Sequence, residues 1–146
     1  MTRHFTLQQA ERLLPHVERA IREAIDLKEE YQQAETELRS AMQRVMMLGG
    51  VDLNRGAFLE QRTRRETSGE RLKELIEQIH EFGCLVKDLD IGLIDFPARF
   101  RGQEVYLCWK LGETGIAFWH GVEEGFGGRK AIDKEFLENH QGELPN

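Results

Sequence analysis

The fold turns on Ile79–Phe100, "IHEFGCLVKDLDIGLIDFPARF". Up to Phe82 the apolar residues keep a helical period, with Leu72, Leu75, Ile76, Ile79 and Phe82 spaced along one stripe. After Gly83 the period drops to two, the spacing of a strand with one buried face. Gly83 itself stands where a helix ends in a left-handed residue, which glycine adopts without steric cost. The chain therefore reads as helices before Gly83 and an antiparallel sheet after it, an α+β arrangement.

Working back from Gly83, the second helix runs from about Ala57 to Phe82, preceded by a loop over Gly49–Gly56, "GGVDLNRG". The first helix opens at Phe5–Ala10. Thr6 and Gln9 have the spacing of a capping box, and Phe5 and Ala10 that of a hydrophobic staple. Apolar residues follow at Ala10, Leu14, Val17, Ile21 and Ala24, then at Leu27, Tyr31, Ala34, Leu38, Ala41, Val45 and Leu48. Alternating steps of three and four mark a coiled-coil seam, shifted once between Ala24 and Leu27. Two long helices joined by a short loop form an antiparallel hairpin. At ~1.5 Å per residue the first helix is roughly 60 Å long. The first half of the second helix, "EQRTRRETSGER", has no apolar stripe to answer Leu38–Leu48. This predicts a homodimer or higher oligomer that covers the seam.

Working forward, four short strands are predicted, Cys84–Leu89, Leu93–Phe100, Gln103–Leu111 and Gly115–Gly121, with tight turns at Arg101-Gly102 and Glu113-Thr114. Two-residue turns pair Ile94 with Trp109, Phe96 with Leu107 and Ala98 with Val105. They also pair Trp109 with Phe118 and Leu107 with His120. That face is apolar and expected against the helices, with His120 near its edge. The other face carries Asp95, Pro97, Arg99, Glu104, Tyr106, Cys108, Lys110 and Trp119, a mixed aromatic and charged surface expected to be exposed and to make contacts. Asp133 caps a short helical turn through Phe136 and Leu137, and the polar tail "ENHQGELPN" reads as frayed. The expectation is a single domain over residues 1–146: a helical hairpin over 1–83, a small sheet over 84–132, and a helical turn and tail over 133–146.

Composition narrows the function. The 146 residues carry a net charge of −6, against a general nucleic-acid binder, whose domain is usually basic. No apolar run is long enough to span a bilayer, and the first residues lack an apolar signal region, so a cytoplasmic protein is expected. Cys84 and Cys108 make no disulfide framework and read as buried thiols.

Several residue groups have types and spacings that bear on chemistry. Glu77 and His80 have the i, i+3 spacing of a di-iron carboxylate motif, but the first helix supplies no second motif. Asp88, Asp90 and His120 are weak metal candidates, since turn chemistry accounts for both aspartates more simply. No zinc spacing of cysteines and histidines exists. "GFGGRK", Gly125–Lys130, offers glycine amides and two cations, yet it is not a phosphate-binding loop of known pattern. Cys108, His120 and Asp95 are the residue types of nucleophilic catalysis, but the register above sends His120 to the opposite face from Cys108. The arginines Arg55, Arg62, Arg64, Arg65 and Arg71 are interleaved with glutamates and read as a solvated helix face with i, i+4 pairs.

The motifs "VKDLDIGLIDFP", "VYLCWKLGE", "WH" and "GFGGR", in this order, with "FTLQQAERLLP" near the start, resemble a bacterial protein family catalogued as a domain of unknown function. The resemblance covers nearly the whole chain and implies no activity. The residues it implies as the family pattern are Asp88, Gly92, Asp95, Phe96, Pro97, Trp109, Gly112, Glu113, Trp119, His120, Gly125 and Arg129. Turns and core account for Gly92, Gly112, Phe96 and Trp109. The candidate ligand-binding residues that remain are Asp95, Lys110, Glu113, Trp119, His120 and Arg129. The residues assign neither a reaction nor a cofactor. Two functions are expected: a homo-oligomeric interaction or scaffold protein, or else a small-molecule- or metal-binding protein or enzyme with its site on the sheet. Convergence of those six side chains on one pocket would favour the second.

Overall fold

The computed structural model describes residues 3–49 and 54–142. Half of the Gly49–Gly56 loop, residues 50–53, and the end of the tail lie outside them. Helix α1 spans Leu7–Met47 and helix α2 Arg55–Glu81. Strands β1 (Leu85–Asp88), β2 (Leu93–Phe100), β3 (Gln103–Lys110) and β4 (Phe118–Gly121) follow, then β5 (Lys130–Ala131), helix α3 (Lys134–Asn139) and β6 (His140–Gln141). Two compact units form, a sheet unit of Met1–Arg22 with Ile76–Asn146 and a hairpin unit of Glu23–Leu75. The architecture is α+β, as the change of period at Gly83 predicts.

In the sheet unit the capping box forms in full. The Thr6 hydroxyl accepts from the Gln9 N–H at 3.1 Å, and the Gln9 side-chain oxygen accepts from the Thr6 N–H at 2.8 Å. A third orphan donor, the Leu7 N–H, is satisfied from the far end of the chain by His140 Nε2 at 3.0 Å. This contact explains why the tail is not frayed at that point. His140 and Gln141 pair with Phe100 and Arg99 as strand β6. Asp133 caps α3 as expected, accepting from the Phe136 N–H at 2.8 Å.

The sheet is antiparallel in the order β1-β2-β3-β4-β5, with β6 beside the far end of β2. The β2–β3 register is the predicted one, Ile94 opposite Trp109 and Arg99 opposite Glu104. Its Arg101-Gly102 turn has φ of 53° and 80°, the positive pair of a hairpin turn that follows strand twist. Pro97 sits in this central strand because neither of its backbone groups is needed by β3. It has no N–H, and its carbonyl accepts from the Phe5 N–H at 2.7 Å. Ile94, Phe96, Ala98, Leu107 and Trp109 are fully buried, with Phe5 edge-on to Phe96 at 5.6 Å. Val17, Ile21 and Ile79 supply the helical side of the core. Burying each such side chain contributes roughly 1.5–3 kcal/mol.

The β3–β4 register departs from expectation by one residue. Tyr106 faces His120, Leu107 faces Trp119 and Cys108 faces Phe118. The connection is not a two-residue turn. Strand β3 ends at Lys110, whose N–H donates to the Glu113 carboxylate at 2.7 Å and whose carbonyl accepts from the Glu113 N–H at 3.0 Å. The chain then runs past Thr114 to Ile116, whose N–H donates to Glu11 of α1 at 3.0 Å. A one-residue slip exchanges the faces of every β4 side chain. His120 therefore belongs with Asp95 and Cys108, and Trp119 with the helix-facing side.

In the hairpin unit the arginines cross between helices. Arg71 pairs with Glu23 at 3.3 Å, Arg64 with Glu30 at 3.2 Å and Arg65 with Glu35 at 3.4 Å. Arg71 pairs low on α1 while Arg64 and Arg65, nearer the start of α2, pair higher on α1, which fixes the antiparallel sense. Only Arg62, with Glu66 at 3.2 Å, forms one of the expected i, i+4 pairs. The polar first half of α2 packs through small residues. Ser68 is buried, its hydroxyl turned to the Arg64 carbonyl at 2.7 Å, and Gly69 lies under the Tyr31 ring. Leu38, expected to lack an intrachain partner, is buried too.

Candidate functional site

The β2, β3 and β4 strands place three reactive side chains on the sheet face away from α1. Asp95 and Cys108 are directly opposite on β2 and β3, and His120 reaches diagonally from β4. They are buried, with exposures of 1% for Asp95, 0% for Cys108 and 4% for His120. This face was expected to be open, and at this end it is closed. His120 Nε2 stands 3.1 Å from both Asp95 oxygens, and its Nδ1 is 2.8 Å from the Gly121 carbonyl. A carbonyl only accepts, so Nδ1 carries a proton and a second proton lies between Nε2 and Asp95. The Cys108 thiol lies beside this pair, its sulfur within 4.8 Å of the ligand atoms of Asp95 and His120. Burial raises the Asp95 carboxyl above the ordinary carboxylate range, against the pull of His120, Cys108 and Lys87. Burial, and then the Asp95 charge, push the Cys108 thiol up to about 12, although Arg129 opposes the rise.

Beside this cluster Glu113 and Arg129 form a second one. Arg129 Nη2 lies 2.7 and 2.9 Å from the two Glu113 oxygens and 3.3 Å from the Cys108 carbonyl. The guanidinium stacks over Phe118 at 4.1 Å and Phe126 at 4.7 Å. Burial pulls its pKa down, but Glu113 and Cys108 together more than offset this and the net shift is upward. Its Nε is buried and has no hydrogen-bond partner among the described residues. Glu113 also holds the β3 end, and its own carbonyl accepts from the Trp109 indole at 3.0 Å.

The candidates thus divide. Asp95 and His120 come together, Glu113 and Arg129 come together beside them, and Lys110 lies at the edge with Nζ 5.9 Å from the Phe126 ring. Trp119 is elsewhere. It stacks with Phe136 at 4.9 Å and packs on Phe100 at 5.1 Å, under Lys130. Asp88 closes its own turn, accepting from the Asp90 N–H at 3.0 Å, and neither aspartate joins His120. Glu77 and His80 are exposed on α2. Cys108 is the residue that the predicted register discarded. Its alternation with Asp95 on adjacent strands was the available signal, and the β4 slip concealed His120 from it.

The arrangement does not suit a nucleophilic triad. Such a triad needs histidine between the thiol and the acid. Here both imidazole nitrogens already have other partners, Nε2 the Asp95 carboxylate and Nδ1 the Gly121 carbonyl, so neither is the base hydrogen-bonded to sulfur. The set does suit a metal: one ligand atom each from Asp95, Cys108 and His120 lie within 4.8 Å of one another.

Residues 3–132 match the family described as an uncharacterized conserved protein, DUF2203. The chain belongs to that family. No curated protein and no solved structure matches it. The match spans β1 to β5, so both side-chain clusters fall within the family's extent. Among the described residues no helix is long and apolar enough to cross a membrane.

Proposed function

We propose that this member of the family is a self-associating helical-hairpin protein, a scaffold or interaction module whose first partner is a second copy of itself. The observation that carries this reading is the end of α1. Ala41, Met42, Val45, Met46, Met47 and Leu48 point in all directions around the last turns at 100° per residue. One neighbouring helix covers one side, whereas a helix apolar all round is a buried helix. Met46 and Met47 are 80% and 84% exposed.

A second copy fits because the same end offers both halves of an interface. A groove of about 390 Å³ runs between α1 and α2, lined by Leu38, Ala41, Val45, Leu48, Ala57 and Phe58. The methionines beside it are flexible enough to fill an irregular groove on a partner. Ser40 and Ala41 are small, so two α1 ends can cross there closely. A two-fold crossing at that point sets Glu37 of each copy against Arg44 of the other, a self-complementary contact. Among the described residues Glu37 has only a distant intrachain ion-pair partner, Arg64 at 4.0 Å.

Light scattering on the purified chain at micromolar concentration tests the reading. The expected mass is a dimer or higher. Ala41→Glu, which puts a charge in the groove, should give a monomer with unchanged helical circular dichroism. A monomeric wild-type mass would overturn the proposal. Glu37→Arg should weaken association, and adding Arg44→Glu should restore it.

A further inference from the structure

The cluster on the sheet points to a use separate from self-association. Asp95, Cys108 and His120 come from three adjacent strands, so their backbones are fixed by ladder hydrogen bonds rather than by a loop. His120 is oriented as a metal-binding imidazole usually is. Nδ1–H is anchored on a backbone carbonyl, here Gly121 at 2.8 Å, which turns Nε2 toward the other two ligand atoms. The donor set is one thiolate, one imidazole and one carboxylate, which suits a borderline-soft cation and not magnesium or calcium.

We propose that Asp95 Oδ, Cys108 Sγ and His120 Nε2 bind one divalent transition-metal ion, with zinc the best fit, leaving a fourth position for water or an added ligand. The charges balance. Without metal, a protonated thiol and an Asp95–His120 pair that shares one proton across its hydrogen bond sum to zero. With the dication, a thiolate, a carboxylate and a neutral imidazole also sum to zero. The ion enters as two protons leave, one from Sγ and one from between Asp95 and His120, and Nδ1 keeps its own. A buried site therefore gains no net charge.

Arg129 is placed to support the metal-bound form. Its Nη2 holds the Cys108 carbonyl at 3.3 Å, and its buried Nε has no hydrogen-bond partner among the described residues. A thiol sulfur accepts that N–H weakly, and a thiolate accepts it well. Glu113 neutralises the arginine, so the guanidinium does not repel a dication outright. An entry path needs only side-chain rotation. Tyr106, half-buried, lies edge-on to His120 at 5.5 Å, and exposed Lys87 rests over its ring at 4.7 Å.

Titration of the chelator-treated full chain with cobalt(II) and then zinc(II) tests the proposal. The expected result is one cobalt per chain, visible bands of tetrahedral intensity, a near-ultraviolet thiolate-to-cobalt charge-transfer band, and loss of both on adding zinc. About two protons should be released per ion into a weakly buffered solution. Cys108→Ser should abolish the charge-transfer band. His120→Gln should weaken binding by roughly tenfold or more, since even outer-shell losses cost that much. Failure of the folded wild type to take up one ion per chain would overturn the proposal, as would an unchanged cobalt spectrum in Cys108→Ser. The wild-type titration decides the matter even where a variant does not fold.

Discussion

At the level of single residues, burial sets the chemistry of both thiols. Cys84 is fully buried, its Sγ–H turned to the Ile79 carbonyl at 3.3 Å, and burial pushes it up to about 12. An unfolded cysteine ionises near 8.5. Below that value both states hold the proton and the thiol's contribution is fully present. As pH climbs toward 12 the unfolded chain alone loses its proton, so stability falls by up to about 1.4 kcal/mol per pH unit for each such thiol. Urea midpoints measured from about pH 8 upward should drop, and Cys84→Ala should flatten the slope whatever its effect on the midpoint at pH 8. Thiol reagents should label neither cysteine until the chain unfolds. Gly92 makes a second prediction at this scale. Its φ is +66°, and a Cβ there would stand 2.6 Å from Leu111 Cβ. Gly92→Ala should lower stability by roughly 1–3 kcal/mol in chemical denaturation, combining the strained φ with the clash. The contrast between Gly92 and His120 shows what sequence can reveal. A turn glycine is legible because its requirement is local. The face that His120 takes depends on a register set by Glu113 and Glu11, and Glu11 lies on a different element far off in sequence.

At the level of elements, the helix starts and the β2–β3 hairpin were legible because each rests on neighbours in the chain. The Thr6–Gln9 box, the Asp133 cap and the Arg101-Gly102 turn all form where residue type and spacing placed them. Strands β5 and β6 were not legible, because two-residue strands have no period to read. They exist through their partners, Ala131 on Phe118 and His140 on Phe100. The N-terminus of α1 depends on both kinds of support. Thr6→Ala removes a side-chain cap and should cost about 1 kcal/mol. His140→Ala leaves the Leu7 N–H without its acceptor and removes the ring that stacks on Phe136 at 5.1 Å. It should cost about 1–3 kcal/mol, the penalty of an unmade hydrogen bond, although the residue lies 133 positions away in sequence. Thermal unfolding of both variants and of their combination checks this. Leu7 and Gln9 donors belong to one helix end, so the two losses should couple rather than add.

At the level of the whole molecule, self-association and metal binding make different demands on stability. The sheet unit is a packed core with its helix starts capped. The hairpin unit holds together through surface ion pairs, which are worth ~0.2–1 kcal/mol each, and a thin row of Ala24, Ala34, Leu38, Ser68 and Leu75. Such a segment opens locally with little free energy unless something covers it. If a second copy covers it, its amide exchange must depend on protein concentration, since association stabilises only what it buries. Hydrogen exchange should therefore slow over residues 36–48 and 55–61 as concentration rises through the association range. Peptides from β2 and β3 should exchange at a rate independent of concentration. Added zinc should reverse the pattern, slowing exchange around Asp95, Cys108 and His120 and leaving the hairpin end unchanged. Concentration-independent exchange throughout the hairpin would mean that its exposed methionines meet no second copy. A zinc effect that spread to the hairpin would instead mean that the two sites are coupled.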